Sequence, residues 1–219
     1  MRIILSWEKF KSLNRLICIL IILSVLQFFI LTFIAAYLYP GGYDYFGYYF
    51  SDLGAVAARN GETNLISRIL FSVALTLLAL ALIPFWLTLG VFLAENKKKK
   101  ILSTTASTLG VISTPFLIGL ALLPMDTQLE LHLLATLIFV LLFILAVLLC
   151  SIIYILNKNY PKYIGFIGLV LFIIPIASFT ASITNPTATL GAFLQKIALY
   201  GYFIWVLLPI NHIWNSIKK

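Results

Sequence analysis

The chain has 219 residues, of which 62% are hydrophobic and 10% charged, with a formal net charge of +8 and a mean hydropathy of +1.08. A soluble domain is roughly half apolar and about a quarter charged. The composition therefore excludes a soluble globular protein, a disordered chain and a nucleic-acid binder.

A membrane-spanning helix needs about 20 mostly apolar residues. In chain order six stretches qualify: Leu16–Leu38, Leu65–Leu93, Ile101–Leu123, Leu129–Leu156, Tyr163–Thr184 and Leu190–Trp214. None alternates with period two, so a barrel is excluded. The fold class predicted is all-α, a polytopic six-helix transmembrane bundle forming one domain over residues 1–219. The first stretch follows Arg2, Lys9, Lys11 and Arg15, but it is too long for the roughly 7–15-residue core of a signal peptide and reads as a retained helix.

The connections at Glu95–Lys100 and Asn157–Lys162 are short and imply antiparallel neighbours. The Tyr39–Asn64 connection is long, and loops beyond about 12–15 residues are usually functional or disordered. This one is too aromatic for disorder and is expected to fold over one end of the bundle. Its rings, with Tyr37, read as an interfacial aromatic belt or as a ring-lined ligand mouth, and Trp7, Trp86 and Trp214 fall near the opposite interface.

Arg2, Lys9, Lys11, Arg15, Lys97, Lys98, Lys99, Lys100, Lys158, Lys162, Lys218 and Lys219 all fall on one side of the threading, twelve of the 15 basic residues. Only Arg59, Arg68 and Lys196 fall on the other. Asp44, Asp52, Glu62, Asp126 and Glu130 lie there too, against Glu8 and Glu95 on the basic side. The positive-inside rule then predicts a cell-membrane protein with cytoplasmic N- and C-termini. The excess charge is an orientation device, with anionic lipid of the inner leaflet as its natural neighbour.

Within the helices, Pro84, Pro115, Pro175 and Pro209 are expected to kink their spans unless neighbours satisfy the freed carbonyls. Small residues at four-residue spacing, Ser103–Ser107, Ala106–Gly110 and Ser178–Ser182, predict close helix packing. Cys18 and Cys150 have no metal spacing and read as small core residues.

Polar groups align in stripes at the ends predicted to face outward. Asn64, Arg68 and Ser72 share one helix face, as do Gln128, His132 and Thr136, and Ser178, Ser182 and Asn185. Gln195, Lys196, Ser51, Asp52 and Asp126 fall at the same depth. Either these groups cap helix ends or they line a common pocket.

Arg68 sits about one turn inside its apolar segment, where a charge needs a partner or must snorkel. Asp52 or Asp126 is the expected partner, and lipid phosphate the functional alternative. His132 with a carboxylate and the hydroxyl of Ser51 or Thr136 is the raw material of a base–nucleophile pair; it is equally the stuff of a buried hydrogen-bond network. His132 and His212 fall at opposite membrane faces and cannot share one metal, which excludes a multi-histidine zinc site. A site of one histidine and two aspartates stays open, but no metal is assigned and no motif calls for a cofactor. Asp52 can also simply cap a helix or close an Asx turn.

The run Tyr48-Tyr49-Phe50-Ser51-Asp52-Leu53-Gly54, followed by Asn64, resembles the S-D-x-G…N signature of a prokaryotic six-helix membrane family known as domain of unknown function 998. Leu123-Pro124-Met125-Asp126-Thr127, with His132 and Ala135 after it, resembles that family's second signature, P-x-D…H-x-x-A. The order of the motifs is also similar, more distantly, to the eukaryotic FRAG/DRAM/Sfk membrane proteins. The resemblance covers nearly the whole chain and implies six helices with matching motifs at Ser51, Asp52, Asn64, Asp126 and His132, but no reaction. Where that family usually opens its last helix with an acidic–basic pair, this chain has Gln195-Lys196. The eukaryotic relatives are associated with lipid and glycolipid-anchor handling.

Three functions follow as expectations. The first is a protein that binds or organises membrane lipids, with Asn64, Arg68, Ser178, Ser182 and Lys196 as ligand-binding residues. The second is a membrane-embedded lipid hydrolase or transferase with Ser51, Asp52, Asp126 and His132 as catalytic residues. The third is a small transporter using the proline-broken helices.

Overall fold

Each apolar stretch forms one long helix: α1 Trp7–Tyr37, α2 Leu65–Phe92, α3 Lys97–Leu122, α4 Leu129–Leu156, α5 Lys162–Thr184 and α6 Thr189–Lys218. A computed structural model describes residues 7–185 and 189–218, with side chains from Leu13 onward. The charges of Arg2, Glu8, Lys9, Lys11 and Lys219 and the Trp7 ring therefore lie outside the described residues. All six helices are long and apolar enough to cross a bilayer, which makes the chain a multi-pass membrane protein.

The helix ends follow local chemistry. Asn96 caps α3 by accepting from the Lys99 amide at 3.0 Å, so α3 begins at the lysine run instead of after it. At Pro115 the lost helical bond is replaced within the helix, because the Thr114 hydroxyl donates to the freed Val111 carbonyl at 2.8 Å. The analogous carbonyl below Pro175 is satisfied from α6, by the Tyr202 hydroxyl.

Successive helices pack against one another and α6 closes onto α1, giving a ring of antiparallel neighbours. Aromatic side chains cross the space inside. Trp86 of α2 meets Phe143 of α4 at 5.4 Å, and Phe143 meets Tyr202 of α6 at 5.0 Å. Trp86 is fully buried, so it is a core residue and not the interfacial anchor its position suggested. Cys18 and Cys150 are buried as expected. The α2–α3 seam is close because Ser103, Ser107, Ala106 and Gly110 face inward.

We call the end bearing Lys97–Lys100 the lysine end and the opposite one the loop end. At the loop end the connection between α1 and α2 folds into a short 3-10 turn, Phe50–Gly54, which is buried and touches α1, α2, α3 and α6. It plugs the ring. Most loop aromatics pack on each other: Tyr39 on Tyr43, and Tyr43 on Tyr45 and Tyr48. Only Tyr37 and Phe46 are strongly exposed among them, so the belt is mainly a folded cluster.

Candidate functional site

The plug is held by the residues that the sequence singled out. The Asn64 amide donates to the carbonyls of Asp52, Leu53 and Ala55 at 3.1–3.4 Å, and Ser67 donates to Leu53 at 3.1 Å. Gly54 lies against Phe71, whose ring would be 2.6 Å from any added methyl. The Phe50 amide donates to Gln195 Oε1 at 2.8 Å. Lys196, almost fully buried, donates to the carbonyls of Tyr48 and Ala192 and lies over the Tyr43 ring.

Asp52 pairs with Arg59 in a two-pronged bond, Nε to Oδ1 at 2.9 Å and Nη2 to Oδ2 at 3.1 Å. The expected pairing with Arg68 is therefore not made. The reason is reach: Arg59 lies in the same folded loop as Asp52, while Arg68 sits half-buried on the α3-facing side of α2, one turn before Ser72, which donates to Ala121. Asp126 does not pair directly with Arg68 either. Its two oxygens accept from the amides of Val56 and Ala57 at 3.0 and 2.9 Å, pinning the loop to the α3–α4 turn. Burial pushes the Asp126 carboxyl up, but these donors and the charge of Arg68 outweigh it and hold the group below its ordinary value. Among the described residues Arg68 forms no ion pair.

Beside the plug a cavity of about 910 Å³ opens between the loop-end halves of α4 and α5, with α6 behind. Its shape has a local cause. Towards the lysine end α4 and α5 touch backbone to backbone, since a methyl on Gly165 would lie 2.6 Å from the Ser151 carbonyl and one on Gly168 would strike Ser151 Oγ. Pro175 then sits inside α5, which runs on through it with one backbone bond fewer, and around and beyond this level the cavity lies between the helices. Leu133, Leu137, Leu141, Ile176 and Phe179 line the opening and are about half-exposed, so it faces the lipid sideways. Tyr202 and Ile144 lie at its depth, while Tyr49, Ser51, His132, Thr136, Ser178, Ser182 and Gln195 supply its polar lining.

The polar lining is internally bonded. His132 Nδ1 lies 2.7 Å from the Leu123 carbonyl. A carbonyl only accepts, so Nδ1 carries the proton and Nε2 is the acceptor nitrogen of the neutral ring. The Ser51 hydroxyl donates to the Met125 sulfur at 3.1 Å. Tyr49 donates to Ser182, Ser182 to the Ser178 carbonyl and Ser178 to the Gly191 carbonyl.

The structure thus divides the sequence candidates in two. Ser51, His132, Ser178 and Ser182 share the cavity. Asp52, Asn64, Arg68, Asp126 and Lys196 do not line it, and all but Arg68 fasten the loop. No hydrogen bond joins Ser51 to His132, and neither aspartate bonds the imidazole. Tyr49, Met125, Arg59 and Tyr202 are additions. Tyr49 and Met125 sit within the quoted motifs, whereas nothing in the pattern marks Arg59 or Tyr202. Among the described residues no three His, Cys, Asp or Glu side chains stand together as a metal site.

Residues 22–210 match the family model described as "Protein of unknown function (DUF998)". The chain belongs to this family. No curated protein and no solved structure matches it significantly. The match takes in both DUF998 signatures and every residue that lines the cavity. In this DUF998 protein, then, the S-D-x-G turn and its Asn64 are a plug with its fastening, and the histidine of the second signature belongs to the cavity wall.

Proposed function

We propose that this protein binds a membrane lipid, with an acyl chain lying in the cleft between α4 and α5 and the polar end at the plug. The observation that carries this reading is the cleft: about 910 Å³, open sideways, apolar along the helices and polar beside the turn. That size is at the top of the range for sites that enclose small molecules, and its side opening suits a ligand arriving from the bilayer.

We further propose that the loop end faces outward, in the cell membrane, with both termini cytoplasmic. Lys97–Lys100, Lys158, Lys162 and Lys218 gather at the lysine end, where the positive-inside rule wants them. The cleft would then belong to the outer leaflet. A cysteine introduced at Lys98 should resist labelling by a membrane-impermeant thiol reagent in intact cells; efficient labelling overturns the orientation.

The hydrolase or transferase reading rests on Ser51 and His132 sharing one cleft. It requires Ser51 to leave Met125 and a carboxylate to reach His132, whereas binding requires neither change. Binding is the reading favoured.

Native mass spectrometry of the purified protein tests it. The unaltered chain should retain lipid, and Ala198→Phe, which fills the cleft from α6, should lose it while remaining folded. An unaltered protein that holds no lipid, or a filled cleft that retains as much, would refute the proposal.

A further inference from the structure

On the lipid-binding reading, the hydrogen-bonding state of the cleft also selects the chemistry of the ligand. We propose that the bound lipid has an uncharged polar end bearing a hydroxyl, of the diacylglycerol or long-chain alcohol class, and that this hydroxyl donates to His132 Nε2.

The first observation is the fate of every hydroxyl proton in the lining. Tyr49 gives its proton to Ser182, Ser51 to Met125, Thr136 to the His132 carbonyl, Ser178 to Gly191 and Ser182 to Ser178. Tyr202, at the depth of the cleft, gives its proton to Leu171. Each hydroxyl keeps lone pairs but has no proton left for a ligand. His132 adds another acceptor, because its Nδ1 proton is engaged by Leu123. The Gln195 amide N–H group is the exception. The cleft accepts hydrogen bonds and scarcely donates them.

The second observation is charge. Lys196 is engaged by two carbonyls, Arg59 by Asp52, and Arg68 is absent from the lining. The first turn of α4, where free amides would otherwise attract an anion, carries Glu130. A phosphate or carboxylate needs donors and a counter-charge, and here it meets acceptors. An ammonium would meet acceptors, but no carboxylate lines the cleft itself to balance its charge. A hydroxyl needs one acceptor and carries no charge into an apolar site.

The test uses the full chain in nanodiscs and a photoactivatable dioleoylglycerol whose crosslinks are mapped to α4 and α5. Three unlabelled competitors share its acyl chains: dioleoylglycerol, its 3-O-methyl ether and dioleoyl phosphatidate. Dioleoylglycerol should compete at about tenfold lower concentration than either of the others, the loss expected for one buried hydrogen bond left unmade. His132→Asn, which keeps a donor for Leu123 and removes Nε2, should abolish that preference. Equal competition by the methyl ether, or stronger competition by phosphatidate, overturns the hydroxyl assignment while lipid binding stands. Absence of cleft crosslinks from any probe sinks the lipid-binding reading itself. Should His132→Asn fail to fold, the methyl ether decides alone.

Discussion

The Tyr202 hydroxyl donates to the Leu171 carbonyl at 3.0 Å, the carbonyl that Pro175 leaves without its helical partner. One residue of α6 thereby satisfies the backbone group that the proline frees inside α5, beside the cleft. Removing the hydroxyl leaves a buried carbonyl unsatisfied in an apolar surrounding.

Tyr202→Phe is therefore expected to destabilise the protein by about 1–3 kcal/mol. With Pro175→Ala present, the restored amide of residue 175 can satisfy Leu171, and the same Tyr202→Phe change should cost much less. Thermal unfolding of the four proteins in detergent measures this coupling. Equal costs in both backgrounds would mean that the tyrosine does not compensate for the proline.

Asn64→Ala removes three donations to the plug and leaves the Ala55 carbonyl without its side-chain partner. A loss of about 2–3 kcal/mol is expected from buried groups left unpaired. Limited proteolysis should cut within residues 39–64 of the variant and spare the unaltered loop. A variant as resistant as the parent would show that the turn holds by packing alone.

The two loop-end cations should part company. Lys196 is buried and bonded to two carbonyls, so Lys196→Met should lower the melting temperature strongly. Arg68 makes no ion pair among the described residues, and Arg68→Gln should move stability by no more than about 0.5 kcal/mol. A large loss from Arg68→Gln would place a partner there that the described residues do not supply.

Asp126 makes loop attachment depend on pH. Its carboxyl sits below its ordinary value in the folded protein, so the stabilisation is present above the unfolded pKa of about 3.9 and is lost as pH falls through the lower folded value. Hydrogen exchange at the Val56 and Ala57 amides, corrected for intrinsic rates, should therefore accelerate below about pH 4. Asp126→Asn should show fast exchange at neutral pH and little further change on acidification.

The six spans, their antiparallel order and the sidedness of the lysines could be read from the chain alone. Each depends on a local, one-dimensional property: about 20 apolar residues in a row, short connections, and charge that stays out of hydrocarbon. The motifs at Ser51-Asp52-Leu53-Gly54, Asn64, Asp126 and His132 were visible for a related reason, since polar groups are rare in such a chain. What those groups do was not visible. Asp52 meets Arg59 and not Arg68 because partners across a folded loop follow its path, which no helical periodicity describes. The cleft has the same origin. Gly165 and Gly168 let α5 approach Ser151 closely, Pro175 lines the cleft beyond that contact and frees the Leu171 carbonyl, and Tyr202 arrives from α6 to satisfy it. Those residues come from three helices, and only their packing makes one site of them.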